Sequence, residues 1–139
     1  MNKGPIPQGN YRPAIRYQQF VYTAGMTPRK DGNLILSGKI SPDIPVEFYR
    51  AAVEQAADNA LTAIENTLQS GERIAQIMSM TVYLNSLPTY TAHSRIGDLA
   101  TSYLAEKLGD CAIGARAVVG CVSLPGDAPV EIQLVAAVE

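Results

Sequence analysis

Tryptophan is absent from this sequence, histidine occurs once and cysteine twice. Any Ser-His-Asp or Cys-His arrangement would have to use His93. That residue lies among Thr91, Ala92 and Ser94 in a stretch read as a loop, where a solvated imidazole is the default. Cys111 and Cys121 have no histidine or second cysteine at a metal-ligand spacing, so no metal site is expected. The first ten residues, MNKGPIPQGN, lack the apolar core of a signal peptide. A cytosolic protein is therefore expected, with both thiols reduced and Cys121 a small buried residue. Charge is also scarce. Only 17% of residues are charged, the net charge is −2, and no basic run occurs. This argues against a nucleic-acid partner, which a basic patch would mark. No apolar run approaches the roughly 20 residues that span a bilayer.

What remains is an ordinary globular composition, 47% hydrophobic. Its 139 residues suffice for a single domain over residues 1–139. A chain of this size buries roughly two-thirds of its unfolded surface and needs no staples.

After an irregular lead-in with Gly4, Pro5, Pro7 and Gly9, two short strands are expected at Ala14–Tyr17 and Phe20–Ala24 around Gln18-Gln19. Gly25-Met26-Thr27-Pro28 stops the second strand, and a glycine there lets the backbone approach something closely. Lys30-Asp31-Gly32-Asn33 is a turn signal, followed by a possible strand at Leu34–Leu36. From Val46 to Ser70 the period changes. Val53, Ala57, Ala60, Leu61, Ile64 and Leu68 form one helix face, and Gly71 supplies the stop. Ile74–Leu84 reads as a strand with Met78, Met80, Val82 and Leu84 on its apolar face. Ile96, Leu99, Ala100, Tyr103 and Leu108 mark a second helix ended by Gly109.

The closing segment reads as two strands, Arg116–Leu124 and Val130–Val138, around Pro125-Gly126-Asp127-Ala128-Pro129, an antiparallel hairpin. Arg116, Val118, Gly120 and Val122 share one face of the first strand. Glu131 is an acid between Val130 and Ile132. A charge on an apolar hairpin needs a partner or a ligand. A structural ion pair or a solvated strand end satisfies that need most often; a ligand site is the alternative. The element order is β-β-(β)-α-β-α-β-β. It implies an α+β fold, a single mixed sheet with both helices on one face. The uncovered face carries Thr, Tyr and Val, and a second copy of the chain is the expected cover.

Four motifs in order resemble one family. They are Gly9-Asn10-Tyr11; Val21-Tyr22-Thr23-Ala24-Gly25-Met26-Thr27-Pro28; Met80-Thr81-Val82-Tyr83-Leu84 with Leu87; and Ala115-Arg116 through Ser123-Leu124-Pro125 to Val130-Glu131-Ile132. Together they look like the Rid family, also called YjgF or reactive-intermediate deaminases, over Gly9 to Val138.

The resemblance implies a chorismate-mutase-like fold and a homotrimer with three pockets between subunits. It implies binding of small carboxylates, without metal or cofactor, and hydrolysis of 2-imino or enamine acids to 2-keto acids and ammonia. On this likeness Arg116 binds the substrate carboxylate, its planar fork suiting two oxygens at once. Glu131 positions or deprotonates the attacking water. The Gly25 backbone bonds the substrate, and Tyr11 closes the pocket. Three departures stand out. The family serine before the glycine is Ala24, the cysteine two residues after the arginine is Val118, and the asparagine of the second helix has no clear match, Gly97 or Asp98 falling nearby. A binding module that holds a small carboxylate or keto acid without turnover is the alternative. The endoribonuclease or translation-inhibitor activity often ascribed to the family lacks a basic stripe here. Chorismate mutase activity would rest on fold analogy alone.

Overall fold

The computed structural model describes residues 4–139; Met1–Lys3, at the start of the lead-in, lie outside the described residues. Strands β1 (Ala14–Tyr17) and β2 (Phe20–Thr23) form a hairpin whose Gln18 sits at φ +55°. A separate two-residue pair follows, β3 (Arg29–Lys30) and β4 (Asn33–Leu34), closed by Asp31-Gly32. The strand expected at Leu34–Leu36 thus begins earlier and stops at Leu34, while Arg29–Lys30 supplies an unforeseen partner. The Asp-Gly turn favours so tight a reversal, with both residues at positive φ.

The long helix is shorter than its pattern. A 3-10 turn occupies Val46–Tyr49, and α1 proper runs Arg50–Glu65. Half of its buried residues are alanines, beside Val53, Asn59, Leu61, Thr62 and Ile64. Small side chains bring the helix axis close to the sheet. Strand β5 spans Ile74–Asn85. Helix α2 runs His93–Leu108, so His93 opens a helix rather than lying in a loop. Then come β6 (Ala115–Cys121) and β7 (Val130–Val138).

The sheet order is β1-β2-β7-β5-β6. Only β6 is parallel to its neighbour; the other pairings are antiparallel. The mixed sheet with two helices on one face is therefore present. The closing hairpin is not. Strand β5 lies between β6 and β7, and β6 stops at Cys121, leaving Val122 89% exposed. Turn residues between two apolar runs signalled local pairing. The chain instead used them to step across β5, whose backbone N–H and C=O groups pair with β6 on one edge and β7 on the other. A second correction concerns Met78. Irregularities in the β5–β7 register, including one between Ile77 and Ser79, add a residue to the alternation. Ile77 takes the core position and Met78 turns outward, 45% exposed.

Ile64, Ile77, Val82, Leu104, Ile132 and Leu134 are among the fully buried side chains between helices and sheet. Each contributes on the order of 1.5–3 kcal/mol by leaving water. No described residue covers the opposite sheet face. Ile15, Tyr17 and Tyr22 are each at least half exposed on it. Cys111 and Cys121 are free thiols, both partly exposed, so Cys121 is less buried than its strand position suggested. No described helix is long and apolar enough to cross a membrane.

Candidate functional site

The alternation of β7 decides where Glu131 points. Val130, Ile132 and Leu134 are fully buried toward the helices, so Glu131 and Gln133 face the uncovered side. Next to Glu131 the β2–β7 ladder is interrupted. Tyr22 pairs with Val135, and the next contact is Met26 with Ile132. Four steps on one chain oppose three on the other, a bulge at Thr23–Gly25. Thr23 pins it. Its hydroxyl donates to the Ala24 carbonyl at 2.8 Å and accepts from the Leu134 N–H at 3.0 Å. The bulge lays the Gly25 backbone against Glu131. A Cβ on Gly25 would stand 2.2 Å from Glu131 Oε2. The Glu131 carboxyl accepts no hydrogen bond among the described residues, and its loss of water pushes its pKa above the usual carboxylate value. Ala24 is half-buried beside it, and its N–H donates to Pro13. Tyr11 stands 48% exposed two residues before Pro13, its phenol oxygen accepting from Gln8 N–H. Tyr11, Ala24, Gly25 and Glu131 therefore lie in one region, the end of β2 and its approach.

Arg116 lies elsewhere. It is on β6, the open edge of the sheet, with Val118 and Gly120 toward α2. Its Nη1 donates to Asp98 Oδ1 at 2.9 Å and to Thr101 Oγ1 at 3.0 Å. The side chain is only 23% exposed because it lies along α2, while Asp98 is 70% exposed. A cleft of about 240 Å³ opens beside it, lined also by Met80, Ile113 and Gly114. Gly97 permits this approach. A Cβ there would meet Val118 Cγ2 at 2.6 Å and Arg116 Cζ at 3.0 Å. A glycine inside a helix costs about 1 kcal/mol relative to alanine, which was the one available signal of its packing role. Nothing in the spacing pointed to Thr101 or to Thr23.

Of the structural ion pair or solvated end expected for these charges, Arg116 has an ion pair, but with Asp98 and not with Glu131. Arg116 pairs with Met80 across β5 and shares the helix face, whereas Glu131 pairs with Tyr83 and shares the open face. Two inter-strand spacings, across β5, and three residues along the strands separate them, about 14 Å between Cα atoms. One protomer thus presents two half-sites that cannot meet on one small ligand. His93 belongs to neither. It packs edge-on to Tyr90 at 5.5 Å, and its Nε2 lies 3.0 Å from where a Gly120 Cβ would be, beside Ser86 Oγ. No group of three or more His, Cys, Asp or Glu able to hold a metal occurs among the described residues.

The family model for endoribonuclease L-PSP matches residues 1–138. The chain belongs to the endoribonuclease L-PSP family, the YjgF/Rid proteins. Within it, a Trypanosoma cruzi protein called TCP17 is 26% identical over 131 residues, covering 87% of this chain and 80% of that one. The crystal structure of Atu1372 from Agrobacterium tumefaciens, of unknown function, is 28% identical with a TM-score of 0.84, covering 96% of this chain and 86% of that one. A candidate endoribonuclease from Shewanella oneidensis MR-1 is 25% identical with a TM-score of 0.87, covering 98% and 90% respectively.

Proposed function

We propose that this chain hydrolyses reactive 2-imino and enamine acids to 2-keto acids and ammonia, in a pocket completed between subunits of a homotrimer. The observation that carries the reading is the division of the site. A partly shielded arginine on an edge strand and an unpartnered, desolvated carboxyl on the uncovered face need a second copy to converge. Members of the family are commonly trimers, and exposed Ile15, Tyr17, Tyr22 and Met78 supply apolar surface for such an assembly.

In this reading Arg116 binds the substrate carboxylate with the guanidinium nitrogens that Asp98 and Thr101 leave free. Those two residues fix its orientation. The iminium carbon faces Glu131 of the neighbouring subunit. The ionised carboxylate takes a proton from water as its oxygen bonds to that carbon, giving a carbinolamine. The same carboxyl then protonates the nitrogen. The C–N bond breaks and ammonia departs while the again-ionised carboxylate takes the hydroxyl proton, so that oxygen becomes the keto carbonyl; the ammonia then takes that proton from the carboxyl and leaves as ammonium. A carboxyl whose pKa is raised is a stronger base once ionised, which suits this exchange. The Gly25 N–H and the Tyr11 phenol close the pocket.

A non-catalytic carboxylate-binding trimer is the second reading, favoured by the apolar Ala24 and Val118. Turnover separates the two. An amino-acid oxidase generates an imino acid, semicarbazide traps it, and the protein competes. Faster imine loss with wild type than with Arg116→Ala supports the hydrolase. No change across several side chains, together with Arg116-dependent keto-acid binding, leaves the binding module.

A further inference from the structure

Arg116 does not meet a ligand alone. Its two Nη1 protons are taken, one by Asp98 Oδ1 at 2.9 Å and one by Thr101 Oγ1 at 3.0 Å. Nε and Nη2 donate to nothing among the described residues. Together they form one free edge that suits a carboxylate bidentately. Gly97 backs the guanidinium: a Cβ there would lie 3.0 Å from Cζ and 3.2 Å from Nε. Helix α2 therefore packs on the flat face, since an approach along the free edge would bring Nε nearer than Cζ. Resting on the reading of Arg116 as the carboxylate clamp, we infer that Asp98 makes this half-site selective for a carboxylate with a cationic nitrogen on the next carbon, a protonated imine rather than the keto acid it yields.

Asp98 brings the opposite charge within hydrogen-bond reach of the clamp. A carboxylate has two oxygens, each able to accept more than one hydrogen bond. Only Oδ1 is engaged; Oδ2 accepts from no donor among the described residues. The Asp98 side chain is 70% exposed against 23% for Arg116, so the second oxygen is open to a ligand while the arginine beneath it is held still. Both residues line the same cleft of about 240 Å³, with Met80, Ala112 and Ile113 as its apolar part. A cation and an anion in contact with each other thus face one small space.

That arrangement disfavours a simple carboxylate. An anion seated on Nε and Nη2 also feels the carboxylate on Nη1, and like charges this close repel. The Arg116–Asp98 pair is neutral as a whole. Such a pair best holds a ligand that carries both charges in the opposite order. A protonated 2-imino acid does so, because its nitrogen sits on the carbon bonded to its carboxylate. The carboxylate takes the free guanidinium edge, and an N–H of the nitrogen points to Asp98 Oδ2. The keto acid puts a carbonyl oxygen in that place, with partial negative charge and no N–H to give. Specificity is a difference between two affinities, and here one residue supplies both the attraction and the repulsion. Asp98 therefore retains substrate and releases product, and it takes no proton in doing so.

The test is titration calorimetry on the full chain in its native assembly, with two stable probes of one carbon skeleton. L-2-aminobutanoate bears a carboxylate and an ammonium that stands in for the protonated imine; 2-oxobutanoate bears the carboxylate alone. Wild type is expected to bind the amino acid at least about tenfold more tightly than the keto acid. Asp98→Asn keeps the shape and removes the charge. It is expected to shrink that preference by about tenfold or more, the amino acid binding more weakly and the keto acid no more weakly than before. A residue that only orients Arg116 would instead weaken both ligands together, so an equal loss of both, or an unchanged preference, would overturn the assignment. Should the variant fail to fold, the two probes on wild type decide alone, and equal binding or a preference for the keto acid overturns it. Arg116→Ala is expected to lose both ligands. Retention of both in that variant, or no heat from either at millimolar concentration with wild type, would sink the clamp and the role of Asp98 with it. Binding that depends on Arg116 while the preference does not depend on Asp98 would sink that role alone and leave the imine-hydrolase reading standing.

Discussion

Because Arg116 and Glu131 lie on opposite faces of one sheet, two inactive variants should rescue each other. Arg116→Ala keeps Glu131 but lacks the carboxylate clamp. Glu131→Gln keeps the clamp but lacks the base. Each alone should lose imine turnover. In trimers formed from an equal mixture, a pocket is complete when its arginine comes from one variant and its carboxylate from the other. Random assembly in a cyclic trimer makes that about one pocket in four, so about a quarter of wild-type activity should return. A second mixture sharpens the test. Wild type combined with the double variant retains about a quarter of its pockets if they are shared, and about half if each subunit is self-contained. Co-refolding followed by native mass measurement verifies that mixed trimers form, and the trap assay reads turnover. Mixed trimers with no recovered activity would refute the shared pocket, and so would a stable monomer with full turnover.

The remaining predictions concern single positions. Gly25→Ala drives a methyl into the Glu131 carboxylate, 2.2 Å from Oε2; the flexible side chain swings away, so turnover should fall by about 10²-fold or more with little change in thermal midpoint. Glu131→Gln should stabilise the fold near neutral pH. The folded carboxyl binds its proton more tightly than the unfolded one, so ionisation costs stability as pH rises from the ordinary carboxylate value through the raised one; the variant's advantage should vanish in acid, and an advantage that persists at pH 3 would contradict the assignment. Glu72 behaves oppositely. Arg16 grips it through two bonds of 2.5 and 2.6 Å and Gln69 N–H adds a third, holding its pKa to about 2. Its contribution is present above the unfolded carboxylate value and is lost as pH falls toward 2, so Glu72→Gln should lower the thermal midpoint at pH 7 but not at the acid end. Gly114→Ala places a Cβ 2.0 Å from the Ile77 carbonyl oxygen, a backbone atom that cannot swing aside. It should cost about 1–3 kcal/mol or more in urea unfolding.

The side-chain periods of this protein were legible from residue order. A helix or strand places its own side chains by local geometry, so the α1 stripe, the β7 alternation and the grouping of Arg116 with Val118 and Gly120 could be read without a fold. Motif spacing identified the family for the same reason. What residue order could not decide was which strands touch. Strand β5 enters between β6 and β7 because pairing depends on burial across the whole sheet, and that energy is non-local. The same insertion puts Arg116 and Glu131 on opposite faces, about 14 Å apart by strand spacing, although both belong to one closing motif in the chain. The bulge that lays Gly25 on Glu131 likewise depends on Thr23 meeting a backbone N–H more than a hundred residues away. Only the folded sheet turns one continuous motif into two half-sites, because a sheet assigns its faces by pairing register and not by distance along the chain.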